Sequence, residues 1–107
     1  MNGKSPLVVI VPKGNLDMAS AAQMRQKLQD HLNAGEARLV VDLREVAYID
    51  SAGLGEVVRA MKRAREAGGD LRLCGLSDDV LRLFELTGLN EAIAVYATRE
   101  DAVASWK

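Results

Sequence analysis

The chain predicts an α/β domain, a mainly parallel β-sheet of four to five strands with four helices, and three observations carry that reading. Short β-branched or apolar runs alternate with stretches of helical spacing from Leu7 to Trp106. Connections between them are short, which in a regular β-α alternation implies a largely parallel sheet with helical crossovers. The length of 107 residues, 49% hydrophobic and 27% charged, suits one soluble globular domain with a real core.

Residues 1–6, Met1-Asn2-Gly3-Lys4-Ser5-Pro6, form a short N-terminal lead without the apolar stretch of a signal peptide, and residues 7–107 form the domain. Leu7 to Val11 is a β-branched strand ended by Pro12 and Gly14. Ser20 and Gln23 have the spacing of a capping box, so a helix is expected after Ser20. It places Ala21, Met24, Leu28 and Leu32 on one face and ends at Asn33-Ala34-Gly35. Leu39 to Leu43 is the most continuous apolar strand, interrupted by Asp42, and belongs in mid-sheet. After a polar connection the chain turns at Asp50-Ser51 into a second helix. That helix sets Leu54, Val57, Val58, Met61 and Ala64 inward and stops at Gly68-Gly69. Leu71 to Cys74 is a strand. Ser77-Asp78-Asp79 opens a third helix that carries Val80, Leu83, Phe84 and Thr87 on one side and stops at Gly88. Ile93 to Tyr96 is a last strand, and Thr98 opens a final helix that Val103 and Trp106 pin to the body.

Several function classes fall away. A net charge of −1 argues against a nucleic-acid or anionic-membrane binder. No apolar run approaches the roughly 20 residues of a spanning helix. One cysteine makes no internal disulfide, and the expected compartment is the cytoplasm. His31 falls off the apolar face of the first helix and is expected in water. Cys74 lies in a strand with no histidine nearby in sequence to make a thiolate, and is expected to be buried and structural. Metal-ligand spacings, nucleotide-binding glycine motifs and the GxSxG elbow are all missing. The expectation is a protein that is not an enzyme and has no cofactor or metal.

One stretch stands apart. Ile49-Asp50-Ser51-Ala52-Gly53-Leu54-Gly55 puts two glycines in the first turn of a helix, where each costs about 1 kcal/mol relative to alanine. Something must come close to the backbone there. Ser51 sits at the end of that helix, where unpaired N–H groups and the positive dipole end favour an anion. Gly14-Asn15-Leu16-Asp17 follows the first strand, and parallel sheets gather such loops at the C-terminal ends of their strands. Asp17 and Ser51 are therefore expected on one edge of the sheet. Ordinary capping also accounts for Asp17, Asp50 and Ser51, so spacing alone leaves both readings open.

The same residues carry a resemblance. Ile49-Asp50-Ser51-Ala52-Gly53-Leu54-Gly55 resembles the signature of the STAS domain in its stand-alone form, the anti-sigma factor antagonist. Gly14-Asn15-Leu16-Asp17, Gly68-Gly69-Asp70-Leu71 and Leu86-Thr87-Gly88-Leu89 resemble that family's other landmarks, in the same order. The resemblance implies a STAS-like fold and a partner-switching role. The unphosphorylated form would bind and sequester an anti-sigma factor that is itself a serine kinase. Phosphorylation at the position matching Ser51 would release it, and a serine phosphatase would reset the switch. Partner contacts are then expected from Asp17, Asp50, Ser51, Ala52, Gly53, Leu54, Gly55 and Val57, with Gly53 and Gly55 letting the partner approach closely and Leu54 and Val57 offering apolar contact. The family often has a second serine where this chain has Ala52, so a single phosphate is expected. It also commonly begins with an extra strand before Leu7, here short or missing, which leaves a sheet edge open and a monomer or weak dimer as the expected state. The alternative is a STAS scaffold or transporter-associated subunit that binds proteins and is never phosphorylated. A small enzyme or binder of free phosphate ligands at Ser51 is a third reading, disfavoured by the lack of a base, metal site or phosphate lysine near that turn.

Overall fold

The computed structural model describes residues 6–106. Four strands lie in the order β1-β2-β3-β4 and every pairing is parallel: β1 Leu7–Ile10, β2 Arg38–Asp42, β3 Asp70–Cys74 and β4 Val95–Tyr96. Five helices connect or follow them: α1 Met18–Asn33, α2 Ser51–Glu66, α3 Asp78–Thr87, α4 Leu89–Ala92 and α5 Arg99–Ala104.

The period-two alternation of the strands divides the core. Val8, Ile10, Leu39, Val41, Leu71 and Leu73 join the larger cluster, with Met24, Leu28, Val57, Met61 and Phe84 from the helices. Leu7, Val9, Val40 and Cys74 point the other way, towards Ala102, Val103 and Trp106. Covered on both faces, β2 is buried throughout after Arg38, which is why it is the most continuously apolar segment.

The chain's one interruption of β2, Asp42, is only 1% exposed and holds α5 in place. Its Oδ1 accepts from the Arg44 backbone N–H at 3.0 Å, and its Oδ2 accepts from the guanidiniums of Arg44 and Arg99, each at 3.0 Å. Burial alone would raise the Asp42 carboxyl, but those hydrogen bonds outweigh it and hold it below the usual carboxylate range. At the far end of α5, Arg72 donates to the Ser105 carbonyl at 2.9 Å and lies 3.8 Å from the centroid of the Trp106 ring.

The structure departs from the sequence reading at several places. Helix α1 begins at Met18, with Asp17 as N-cap, and Ser20 is the reciprocal partner whose Oγ accepts from the Asp17 N–H at 3.0 Å. Two capping residues three apart can serve either way round. The earlier one wins because Leu16 is buried and hydrogen-bonded to the neighbouring loop, so the chain leaves the sheet edge there. Helix α4 is an additional fifth helix, a single turn entered through Gly88 at φ 76°, too short to show a helical period. His31 is half-buried and its Nδ1 lies 2.7 Å from Glu36 Oε1, so it is tethered and not simply solvated. The extra strand considered before Leu7 falls on residues 1–5, outside the described residues.

Candidate functional site

Helices α1 and α2 begin side by side because the loops leading into them are zipped together. Leu16 and Ile49 form a parallel bridge beyond the ends of β1 and β2, the Leu16 N–H donates to Tyr48 O at 2.9 Å, and the Asp50 N–H donates to Leu16 O at 3.0 Å. The expected juxtaposition of the Asp17 loop and the Ser51 turn is thus built into the backbone.

Both aspartates are caps, and one of them does two jobs. Asp17 Oδ1 accepts from the N–H groups of Ala19 and Ser20 at 3.0 and 3.1 Å. Asp50 Oδ1 accepts from the Gly53 N–H at 3.0 Å, while its Oδ2 accepts from the Met18 N–H, also at 3.0 Å. A single carboxylate therefore fastens the first N–H of α1 to the first turn of α2. Because Asp50 is the N-cap, the Ser51 hydroxyl is released from that duty; Ser51 is the first residue of α2 and is exposed. An exposed hydroxyl on a rigid helix start, at the positive end of the dipole, is accessible to a transferring enzyme and tolerant of added negative charge.

The other residues of the signature divide. Gly55 is exposed with open space where a side chain would stand, so a partner can approach the backbone there. Gly53 is buried, and a Cβ on it would lie 2.5 Å from the Leu16 carbonyl oxygen. The close approach that demands glycine at 53 is thus the chain's own α1 loop. Val57 is fully buried in the core and offers no surface to a partner, because position 57 is one and a half turns past the exposed helix start and faces the sheet. Ala52 and Leu54 are half-buried.

Three surface features around Ser51 escaped the sequence reading. Met18 is 80% exposed and Tyr48 55% exposed, two of the large apolar side chains most open to water. Leu54 and Tyr48 line a groove that continues to Leu83 and Asp79 on α3. Met18 gave a signal in lying off the apolar face of α1, and Tyr48 in being an aromatic within a polar connection. The α3 wall gave none, since its half-buried Leu83 fits the ordinary periodicity of a core-facing helix.

Among the described residues, the candidate nucleophile and base lie far from this edge or are buried. His31 lies in the last turn of α1, at the opposite end from Asp17. Burial pushes the Cys74 thiol up to about 11, with the Asp42 carboxylate adding to the effect, so it is a poor nucleophile. Among the described residues no cluster of His, Cys, Asp and Glu could hold a metal ion, and no helix is long and apolar enough to cross a membrane.

Known proteins resemble this chain in sequence and fold. The family described as the STAS domain matches residues 1–102. The anti-sigma-B factor antagonist of Bacillus subtilis is 40% identical over 90 residues, covering 84% of this chain and 82% of that protein. Its namesake in Listeria monocytogenes is 40% identical over 82 residues, covering 77% and 72%. Among solved structures, an anti-sigma factor antagonist from Mycobacterium paratuberculosis matches with a TM-score of 0.82 at 25% identity, over 91% of this chain and 82% of that one. Unphosphorylated SpoIIAA shares the fold at a TM-score of 0.74 and 23% identity, over 95% and 90%. With nearly its whole length matched and its relatives covered over most of theirs, the chain belongs to the STAS domain family.

Proposed function

We propose that this protein is an anti-sigma factor antagonist whose partner switch is phosphorylation of Ser51. Unphosphorylated, it binds and sequesters an anti-sigma factor serine kinase in the cytoplasm; the kinase phosphorylates Ser51 and the complex separates; a serine phosphatase restores the binding form. In this cycle the protein is a substrate and a ligand, and the catalysis belongs to its partners. The relatives' names support the antagonist role. The observation that carries the switch is the division of labour at the start of α2, where Asp50 caps the helix and leaves Ser51 exposed.

The partner surface consists of Ser51, Ala52, Leu54 and Gly55, extended by Met18 and Tyr48, with Asp17 and Asp50 setting its shape through the caps. A phosphate at Ser51 adds about −1.5 to −2 charges. The helix dipole receives that charge, so the fold survives. A partner surface fitted to a neutral hydroxyl would have to bury the charge unpaired, so the interface fails. Ser51→Asp tests the reading. It should weaken binding to the purified cognate kinase at least about tenfold while changing stability by less than about 1 kcal/mol. Undiminished binding would contradict the switch, and a large stability loss would mean that Ser51 serves the fold.

A further inference from the structure

Resting on the kinase-partner reading above, we infer that the groove between the start of α2 and α3 seats an amphipathic helix of that partner, apolar on its docking face and cationic where it meets Asp79. The groove's apolar surface comes from Tyr48, Leu54 and Leu83, with buried Val80 beneath, and its charged side chains are Asp50 and Asp79. No cation lines it. Three other depressions carry cations: Arg25, Arg59 and Arg63 with Glu56 between α1 and α2, Lys13 and Lys27 beside β1, and Arg44 and Arg99 with Asp42 and Glu100 beside α5. In a chain of net charge −1 this segregation gives the Ser51 groove a local sign of its own.

Asp50 has both carboxylate oxygens engaged by backbone N–H groups, which leaves exposed Asp79 as the charge that an incoming side chain meets. One wall is α3, carrying Leu83, and the other is the loop of residues 47–50 with the start of α2, carrying Tyr48 and Leu54. An elongated apolar trough of this kind is the setting in which a further helix lays down an i, i+3/i+4 stripe. Half-exposed Tyr48 in such a groove is the type of side chain that dominates interface energy. Affinity then comes from the groove and the switch from Ser51 on its rim. The two are separable.

The test uses the ¹⁵N-labelled full chain and a synthetic, end-capped amphipathic helical peptide of leucine and arginine, with controls in which glutamate replaces arginine or the order is scrambled. Amide shifts should centre on Tyr48, Leu54, Asp79 and Leu83 with the arginine peptide alone. Asp79→Lys, a surface change that leaves the fold intact, should weaken binding by roughly five-fold. Leu83→Asp should weaken it further, provided its spectrum stays dispersed, and Lys27→Ala, on the far depression beside β1, should leave it unchanged. Shifts spread over other faces, equal binding of the glutamate or scrambled peptide, or no effect of Asp79→Lys would overturn the inference. So would shifts of the same amides with protein concentration alone, which would assign the groove to a second copy of this chain. Peptide binding without Ser51 phosphorylation would leave the groove standing and remove the switch; phosphorylation without peptide binding would do the reverse.

Discussion

Gly53 and Gly55 stand two residues apart on α2 and answer to different demands. At 53 a Cβ meets the Leu16 carbonyl oxygen at 2.5 Å; at 55 it meets nothing within 4 Å. Gly53→Ala gains helix propensity worth about 1 kcal/mol but forces the two zipped loops apart, an overpacking cost of about 1–3 kcal/mol, so it should lower the melting temperature. Gly55→Ala takes the propensity gain without the clash and should raise the melting temperature, while weakening binding to the cognate kinase because it fills the open approach beside Ser51. Thermal unfolding of the two variants should therefore move in opposite directions. The sequence showed that glycine was costly at both positions. It could not show whether the neighbour was internal or external, since Leu16 is 37 positions away from Gly53 in the chain and reaches it only through the Leu16–Ile49 bridge. Val57 was misplaced as a partner contact for a different reason: the helical spacing already sets it inward with Met61 and Ala64, and its nearness to Ser51 in the chain does not outweigh that.

At the scale of an element, α5 is six residues long and owes its place to side chains more than to its own propensity. Its start was legible, because Thr98 Oγ1 accepts from the Asp101 N–H in an ordinary N-cap. Its anchor was not, because Asp42 and Arg99 are 57 positions apart and an acidic residue in a strand looks like an interruption. The Asp42 carboxyl is held below its ordinary value in the folded state. Its contribution to stability is therefore fully present above the unfolded value of about 3.9 and is lost as pH falls through the lower, folded value. Asp70, paired with Arg65 and Arg72 and likewise lowered, adds in the same direction. Denaturant unfolding from pH 7 down to pH 2 should show stability falling below about pH 4. Asp42→Asn should be less stable at neutral pH by about 1–3 kcal/mol and show a shallower fall in acid, with the Asp70 share remaining. An unchanged acid slope in that variant would mean that Asp42 does not anchor α5.

Across the whole molecule, the parallel sheet explains why a loop near residue 15 and a turn near residue 50 meet. Strands β1 and β2 are neighbours, both point the same way, and their C-terminal ends deliver Asp17 and Asp50 to one edge. That much was readable from regular alternation and short connections. The groove formed with α3 was not, because α3 follows β3 and its approach to Ser51 depends on how the helices pack across the sheet. The central claim, that this edge presents Ser51 for phosphorylation, is tested most directly by intact-mass measurement of the purified protein after incubation with ATP and a phosphorylation-active extract of its own cells, beside Ser51→Ala. The account predicts one phosphate on the native chain, with alanine at position 52 offering no second site, and none on the variant. A phosphate on both, or on neither, would contradict it.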